Sequence, residues 1–226
     1  MHKVIPLSYT IDEGTPAYPG TRPLVICKDK EIQSGDSCNT FSITLSNHFG
    51  THIDMPRHFF DSGINVKDCQ TPAFICMRPI IIDCPKRPGE SIEVKDLVGL
   101  PVGRKQDALL IRTGFSAYRT TDAWTYCNNN PLLSPDAARW IRQNLLDVKI
   151  VGIDAISISS KAHKGLGAKS HEILLVDGGY GGDPVFILED LYLPPDVSRL
   201  DELLVFPVFS ADIDGSPCVV MGIIHD

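Results

Sequence analysis

The sequence predicts one mixed α/β domain with more strand than helix. Short apolar runs rich in β-branched residues recur along the chain, and most are bounded by Pro, Gly or Asp, which is typical of buried strands. Helix signals are fewer, and no internal repeat or low-complexity tract divides the chain. A length of 226 residues suits a single domain, so we expect residues 1–226 to form one unit.

The predicted strands follow one another along the chain, with the best helix signal between the second and the third. Ser134 is placed to cap that helix, Pro135 suits its first position, and Asp136 favours the positive end of its dipole. Three apolar residues then recur at helical spacing, so one face should pack on the sheet. These residues are Ala137, Ile141 and Leu145, and the predicted strands are residues 80–82, 109–111, 150–153, 185–188, 205–209 and 219–224.

Charge and hydropathy argue against nucleic-acid and membrane partners. The chain has 28 acidic and 21 basic residues, a formal net charge of −7, whereas a nucleic-acid binder normally has a basic surplus. No uncharged apolar run approaches the roughly 18 residues of a membrane helix, and the first residues build no signal core. Seven scattered cysteines without a CxxC pair are typical of reduced thiols. We therefore expect a soluble cytoplasmic protein that acts on a small molecule.

Three of the seven histidines fall within eleven residues. His48, His52 and His58 occupy alternate positions, with Asp54 between the last two. In one straight strand, His48 and His52 would lie about 13 Å apart, too far to share an ion. A regular helix is disfavoured by Gly50 and by the β-branched residues around it. The chain should therefore bend at Gly50, leaving His52 and Asp54 extended and facing the same way.

Imidazole and carboxylate groups together suit zinc, manganese or iron. A lone histidine is usually an ordinary surface or core residue, but this clustering favours ligation. A second interpretation is the facial triad of non-haem iron oxygenases, formed by His52, Asp54 and the distant His171; it expects a jelly roll and leaves His48 and His58 unexplained. A structural metal site, or a binding protein without activity, is a third.

The string H-x-G-T-H-x-D-x-P-x-H at residues 48–58 resembles the signature of the metal-dependent cyclase family of hydrolases, which includes kynurenine formamidases and isatin hydrolases. Every fixed position of that signature is present. The resemblance extends over most of the chain. Its other segments are T-P-A-Y-P-G at 15–20, L-I-R-T-G at 110–114, G-I-D at 152–154, L-E-D-L at 188–191 and D-G-S-P at 214–217.

The resemblance implies a fold and a reaction. The fold is a swivelling β/β/α domain with a mixed sheet and few helices, assembled as homodimers or homotetramers. The reaction is metal-dependent hydrolysis of a C–N bond, in an aryl formamide such as N-formylkynurenine or in a cyclic amide or lactone of the isatin kind. One or two divalent ions per chain, zinc or manganese, would activate the water.

The resemblance also implies ligands. His48, His52 and Asp54 would hold one ion, while Asp54, His171 and Glu189 would hold a second, with Asp54 bridging the two.

Other positions carry further implied roles. His58 would be the general acid and base. Tyr18 would stack on an aromatic substrate, or else pack on its own domain. Glu172 is the alternative to Glu189 as the carboxylate ligand of the second ion, but it is expected to face solvent. The chain departs from the family pattern at Thr21, where Asp is frequent, and at residues 218–220, where Arg is frequent; Asp190 replaces Asn, and the segment 178–184 is longer and richer in glycine.

Overall fold

The computed structural model describes residues 2–102, 106–208 and 212–225. Helices α1 to α5 in these residues are Val94–Leu97, Tyr118–Thr121, Ala123–Asn128, Pro135–Asn144 and Lys164–Leu175. Strands β1 to β13 are His2–Pro6, Val25–Lys30, Thr40–Thr44, His52–Asp54, Ile75–Cys76, Pro79–Asp83, Ser91–Ile92, Ala108–Arg112, Leu132–Leu133, Ile150–Ile153, Phe186–Glu189, Glu202–Pro207 and Gly215–His225.

One nine-stranded sheet organises the molecule, with the order β5-β12-β13-β4-β11-β10-β8-β6 and with β1 paired to β13. Strands β6, β8, β10 and β11 are parallel, while β4 runs antiparallel between β11 and β13. This mixed sheet with few helices confirms the predicted fold class. Each predicted strand run overlaps a strand of this sheet. Val185 lies just before β11 and Val208 just after β12, and Phe209, the last residue of the run 205–209, lies outside the described residues. No described helix is both long and apolar enough to cross a membrane.

Alternating side chains of the central strands separate two cores. Leu109 and Ile111 of β8 pack with the helices α4 and α5, whereas Ala108 and Leu110 face the opposite core. This alternation follows from the period of two along a strand. The predicted cap of α4 is present, because the Ser134 side chain accepts a hydrogen bond from a backbone N–H three residues later. Helices α4 and α5 pack on each other and share this core with the sheet.

Arg142, on the buried side of α4, ties the end of α5 to the following glycine-rich segment. Its side chain is 1% exposed. Its guanidinium donates to five backbone carbonyls at 2.6–3.1 Å. The acceptors are the carbonyls of Ile173, Leu174, Val176, Gly181 and Gly182. Three of them belong to the end of α5, whose last carbonyls have no partner within the helix.

The hairpin formed by β2 and β3 stands apart from both cores. The residues of the two strands are exposed, apart from the half-buried Thr40. Large apolar side chains project from it, including Phe41 at 53% exposure and Ile43 at 60%. A two-stranded hairpin is marginal by itself in water. Its own packing therefore does not explain its apolar residues.

We predict that Arg142→Met lowers the free energy of unfolding by about 3–5 kcal/mol, because several buried carbonyls lose their donor. Urea titration followed by circular dichroism measures this change. Gln143→Met, at the exposed neighbouring position of α4, is the matched control and should change stability by less than about 0.5 kcal/mol. Equal stability of the two variants would contradict the role assigned to Arg142.

Candidate metal centre and active site

Strand β4 presents two of the candidate ligands on one side of the sheet. His52 and Asp54 alternate with Ile53, which is buried in the core on the other side. Just before the strand, Gly50 has a φ of +63°, which glycine adopts without steric cost. The turn brings the His48 ring to 5.2 Å from the His52 ring. The bend expected at Gly50 is therefore present.

Two distant elements bring the other candidate ligands to the same place. Glu189 ends β11 and lies directly opposite the first residue of β4 in the antiparallel register. His171 lies on α5, where Gly167 packs so closely on Ser159 that a Cβ there would be 1.9 Å from the serine Oγ. His171 Nε2 consequently lies 3.2 Å from Glu189 Oε1 and 3.5 Å from Asp54 Oδ2.

The Asp54 carboxylate is the centre of the cluster and is 1% exposed. Its Oδ1 lies 2.7 Å from His48 Nδ1 and 3.4 Å from His52 Nε2, while its Oδ2 faces His171. Burial by itself raises the pKa of Asp54, but the charge of His48, its hydrogen bond and the nearby imidazoles of His171 and His52 hold this pKa well below its usual value. Asp54 is therefore ionised and faces ligand atoms on two sides.

Backbone carbonyls orient the two most buried imidazoles. Nδ1 of His52 donates to the Gly50 carbonyl at 2.8 Å, and Nδ1 of His171 donates to the Gly167 carbonyl at 2.9 Å. In a neutral ring with this tautomer, Nε2 carries a lone pair, and here Nε2 faces carboxylates. A nitrogen lone pair and a carboxylate oxygen repel each other unless a proton or a metal ion lies between them. Without an ion, a proton takes this place on His171: burial opposes its protonation, but the two neighbouring carboxylates raise its pKa to about 10.

The spacing of these groups fits a divalent ion. Nitrogen-to-oxygen separations among His52, His171, Asp54 and Glu189 are 3.2–3.5 Å. Adjacent ligands around a four-coordinate ion, with bonds of about 2.0–2.1 Å, lie about 3.3 Å apart. The donor set, the tautomers and the spacing thus all suit a metal ion.

His58 lies beside the cluster, in the 3₁₀ turn Pro56–His58 that follows β4. Its Nδ1 donates to Asp214 Oδ2 at 2.6 Å, and its ring is 4.2 Å from that of His48. The same oxygen lies 3.1 Å from His48 Nε2. Hydrogen bonds from both histidines hold the pKa of Asp214 well below its usual range. Sequence reasoning missed this role of Asp214, for which the D-G-S-P string was the available signal.

Within the described residues, two sets of three side chains have ligand atoms within 4.8 Å of one another. One is His48, Asp54 and His58; the other is His52, Asp54 and Glu189. Asp54 belongs to both sets, as a bridging ligand would. The structure thus brings together all the residues predicted to bind metal, and His58 lies within the first of the two sets.

A cavity of about 350 Å³ opens onto these groups. Tyr18, expected near the substrate, lines it together with Thr21. Phe59 also lines it, and its ring stacks on that of His171 with centroids 5.1 Å apart. No motif singled out Phe59, although it directly follows the histidine cluster. The cavity therefore combines aromatic walls with the polar cluster.

The structure also distinguishes between two pairs of alternatives: Glu172 or Glu189 as the second carboxylate, and a jelly roll or an α/β fold. Glu172 hydrogen-bonds to Lys169 and Tyr180 on a half-exposed face of α5, so the carboxylate beside His171 is that of Glu189. The jelly roll expected of an iron oxygenase is not what the described strands form, because four of them are parallel and helices pack on their sheet.

Comparison with known proteins gives three findings. The sequence profile of a family described as "Putative cyclase" matches residues 5–160. A kynurenine formamidase of Geobacillus thermodenitrificans is 33% identical over 220 residues, which are 96% of this chain and 95% of that protein. Isatin hydrolase A from Labrenzia aggregata has a similar structure, with a TM-score of 0.80 at 19% identity, over 100% of this chain and 94% of the other.

A further solved structure, described as a potential metal-dependent hydrolase with cyclase activity, has a TM-score of 0.75 at 20% identity and covers both chains completely. The profile match includes the whole histidine cluster, and the formamidase matches nearly the full length. The chain therefore belongs to the cyclase family.

Proposed function

We propose that this protein is a metal-dependent hydrolase that cleaves the C–N bond of an aryl formamide or of a cyclic amide with water. The buried cluster of imidazoles and carboxylates that opens onto a cavity of about 350 Å³ carries this proposal. Full-length similarity to a kynurenine formamidase favours an aryl formamide such as N-formylkynurenine as the first substrate class. The fold shared with an isatin hydrolase supports a cyclic amide as the second.

The metal would be held by His52, Asp54, His171 and Glu189, and His48 would be a fifth ligand beside Asp54. This mixture of nitrogen and oxygen ligands suits zinc or manganese, and a shared Asp54 allows one or two ions per chain. A divalent ion in such a site lowers the pKa of water and polarises a carbonyl group.

His58 would exchange the proton. Because Nδ1 donates to Asp214, Nε2 is the nitrogen left to act as base and acid. It takes one proton from the water as the water oxygen bonds to the amide carbon, and it returns that proton to the nitrogen as the C–N bond breaks. An aryl formamide then yields formate and an aryl amine, and a cyclic amide yields an amino carboxylate.

Aromatic walls would bind the ring of the substrate. Phe59 is fixed by its stacking on His171, so it offers a rigid apolar surface beside the candidate ligands. Tyr18 lines the same cavity, and we propose that it stacks on the substrate ring.

We further propose that the chain forms homodimers or homotetramers through the β2–β3 hairpin. Exposed apolar side chains such as Phe41 and Ile43 support this proposal, because apolar patches on a protein surface are typical of protein contacts. A groove of about 880 Å³, lined by Ile43 at the base of the hairpin, reaches His48. We take the occupant to be the hairpin of a second copy, because the same apolar residues would meet on both sides of a two-fold interface.

Residues 1–226 would form a single domain in the cytoplasm. The first strand, β1, pairs with the last, β13, so both ends of the described chain join one sheet. The seven cysteines are free thiols, which suits a reducing compartment.

The proposed function is tested by elemental analysis paired with hydrolysis of N-formylkynurenine and isatin. We expect about one or two ions per chain and turnover of at least one amide. A chelator should abolish the turnover, and zinc or manganese should restore it. Bound metal without hydrolysis of either amide would contradict the reaction, and no uptake of either metal would contradict the centre.

His58→Ala should lower kcat by a factor of about 10² to 10⁴ and keep the metal, because it removes the proton-exchanging group and none of the proposed ligands. The measurement is steady-state turnover with metal content determined on the same sample. His225→Ala is the control, since this histidine pairs with Glu202 at the end of β13, and it should retain wild-type turnover. Loss of metal from His58→Ala would instead make His58 a ligand.

The double variant Phe41→Asp/Ile43→Asp should sediment as a monomer where the wild-type protein sediments as a dimer or tetramer. Burying two carboxylates in an apolar contact is unfavourable. Val98→Asp changes an equally exposed apolar residue outside the hairpin and should leave the assembly intact. A monomeric wild-type protein, or an unchanged assembly of the double variant, would contradict this contact.

A further inference from the structure

We propose that Lys164 makes the site selective for aryl amides that carry a carboxylate remote from the bond that is cleaved; this inference rests on the proposed function. Among the described residues that line the cavity, Lys164 is the one lysine or arginine. Its side chain is exposed. In the described part of the chain, its ammonium group has neither a hydrogen bond nor an ion pair within the protein. A ligand is therefore free to use it.

Lys164 and His171 lie on the same face of α5. They are seven residues apart, which is close to two turns, and Ala168 lies between them on that face. All three line the cavity. At 1.5 Å per residue, the two ends of this stretch are about 10.5 Å apart along the helix axis. A substrate whose amide lies near His171 can thus extend past the small Ala168 towards the ammonium group.

The overall charge of the protein makes a local cation favourable for an anionic substrate. The chain has a formal net charge of −7, while the carboxylates of Asp54 and Glu189 in the cavity wall already face imidazoles and would hold the proposed ion. A substrate carboxylate outside that cluster therefore gains from a cation of its own. Arg22 is the other basic residue to consider for this role, because it directly follows Thr21, which lines the cavity. Arg22 itself lines the neighbouring groove and not this cavity.

This placement separates the two proposed substrate classes. An aryl formamide with an amino-acid side chain, such as N-formylkynurenine, carries its carboxylate at the far end of the side chain that is ortho to the formamide, several bonds from the C–N bond that is cleaved. Isatin has no carboxylate before its ring opens. The ammonium group of a lysine pairs with a carboxylate as a compact charge, so Lys164 favours the first class over the second.

Two substrates that differ by one carboxylate test the inference: N-formylkynurenine and N-formylkynuramine. With Lys164→Met, kcat/KM for N-formylkynurenine should fall roughly 3- to 10-fold, mainly through KM, because a partly exposed ion pair is lost. The value for N-formylkynuramine should stay the same or rise, because its remaining charge is positive. Lys164→Glu should reverse the preference between the two.

Salt provides a second readout. The wild-type preference for N-formylkynurenine should shrink between about 0.05 and 0.5 M NaCl, since screening weakens an exposed pair. In Lys164→Met, the ratio of the two kcat/KM values should hardly depend on salt. Lys161→Met, which removes an equal charge outside the cavity, should behave as the wild type. Arg22→Met tests the rival cation.

Equal losses on both substrates in Lys164→Met, or a selective loss in Arg22→Met alone, would overturn the inference. Binding of the products separates it from the proposed function. Calorimetric titration of the metal-loaded protein with kynurenine and kynuramine should show kynurenine weakened roughly 3- to 10-fold by Lys164→Met. If the metal-loaded protein hydrolyses neither amide while this binding difference is found, the proposed reaction fails and Lys164 remains the carboxylate contact. No binding difference overturns the inference.

Discussion

The buried charge of Asp54 is the constraint on which the site depends. A carboxylate removed from water is unfavourable by several kcal/mol unless it is paired, and this one is surrounded by three imidazoles. Strand β4 lies between β11 and β13 and is hydrogen-bonded to both, so Asp54 cannot shift without breaking two ladders. The sheet thus holds in one place a carboxylate that attracts cations, and the three imidazoles are arranged around it.

Residues next to the cluster hold its carboxylate Glu189 and the following Asp190 in place through hydrogen bonds. The Ser157 hydroxyl and the Ile158 N–H both donate to Glu189 Oε1 at 2.8 Å, which fixes the carboxylate. The next residue, Asp190, has a φ of +52°, a strained conformation for a residue other than glycine. Arg119 donates two hydrogen bonds to its carboxylate. Asp190 is therefore a buried carboxylate that pairs with a buried guanidinium directly after Glu189.

Local pattern accounts for the parts of the fold that were predicted. The strands of the central sheet are apolar runs because both of their faces are buried, and α4 combines an N-cap with an apolar stripe. Helix α5 escaped prediction because Gly165 and Gly167 disfavour a helix. Close packing on Ser159 requires a glycine at position 167, so tertiary contact outweighs propensity there. The β2–β3 hairpin escaped because it buries neither face and has no inside–outside pattern.

The family, the α/β class and the clustering of imidazole and carboxylate groups could be predicted from the sequence, because the apolar runs mark the strands and residues 48–58 carry seven fixed positions within one short segment. The resemblance implied Glu189 and kept Glu172 as the rival, and the tertiary contacts place Glu189 beside His171. Only those contacts show that Asp214 reaches His58 across 156 positions of the chain. Strand register and the packing of α5 on the sheet produce those contacts. A local sequence pattern predicts neither the register nor the packing, because both depend on which distant segments of the chain share the same core.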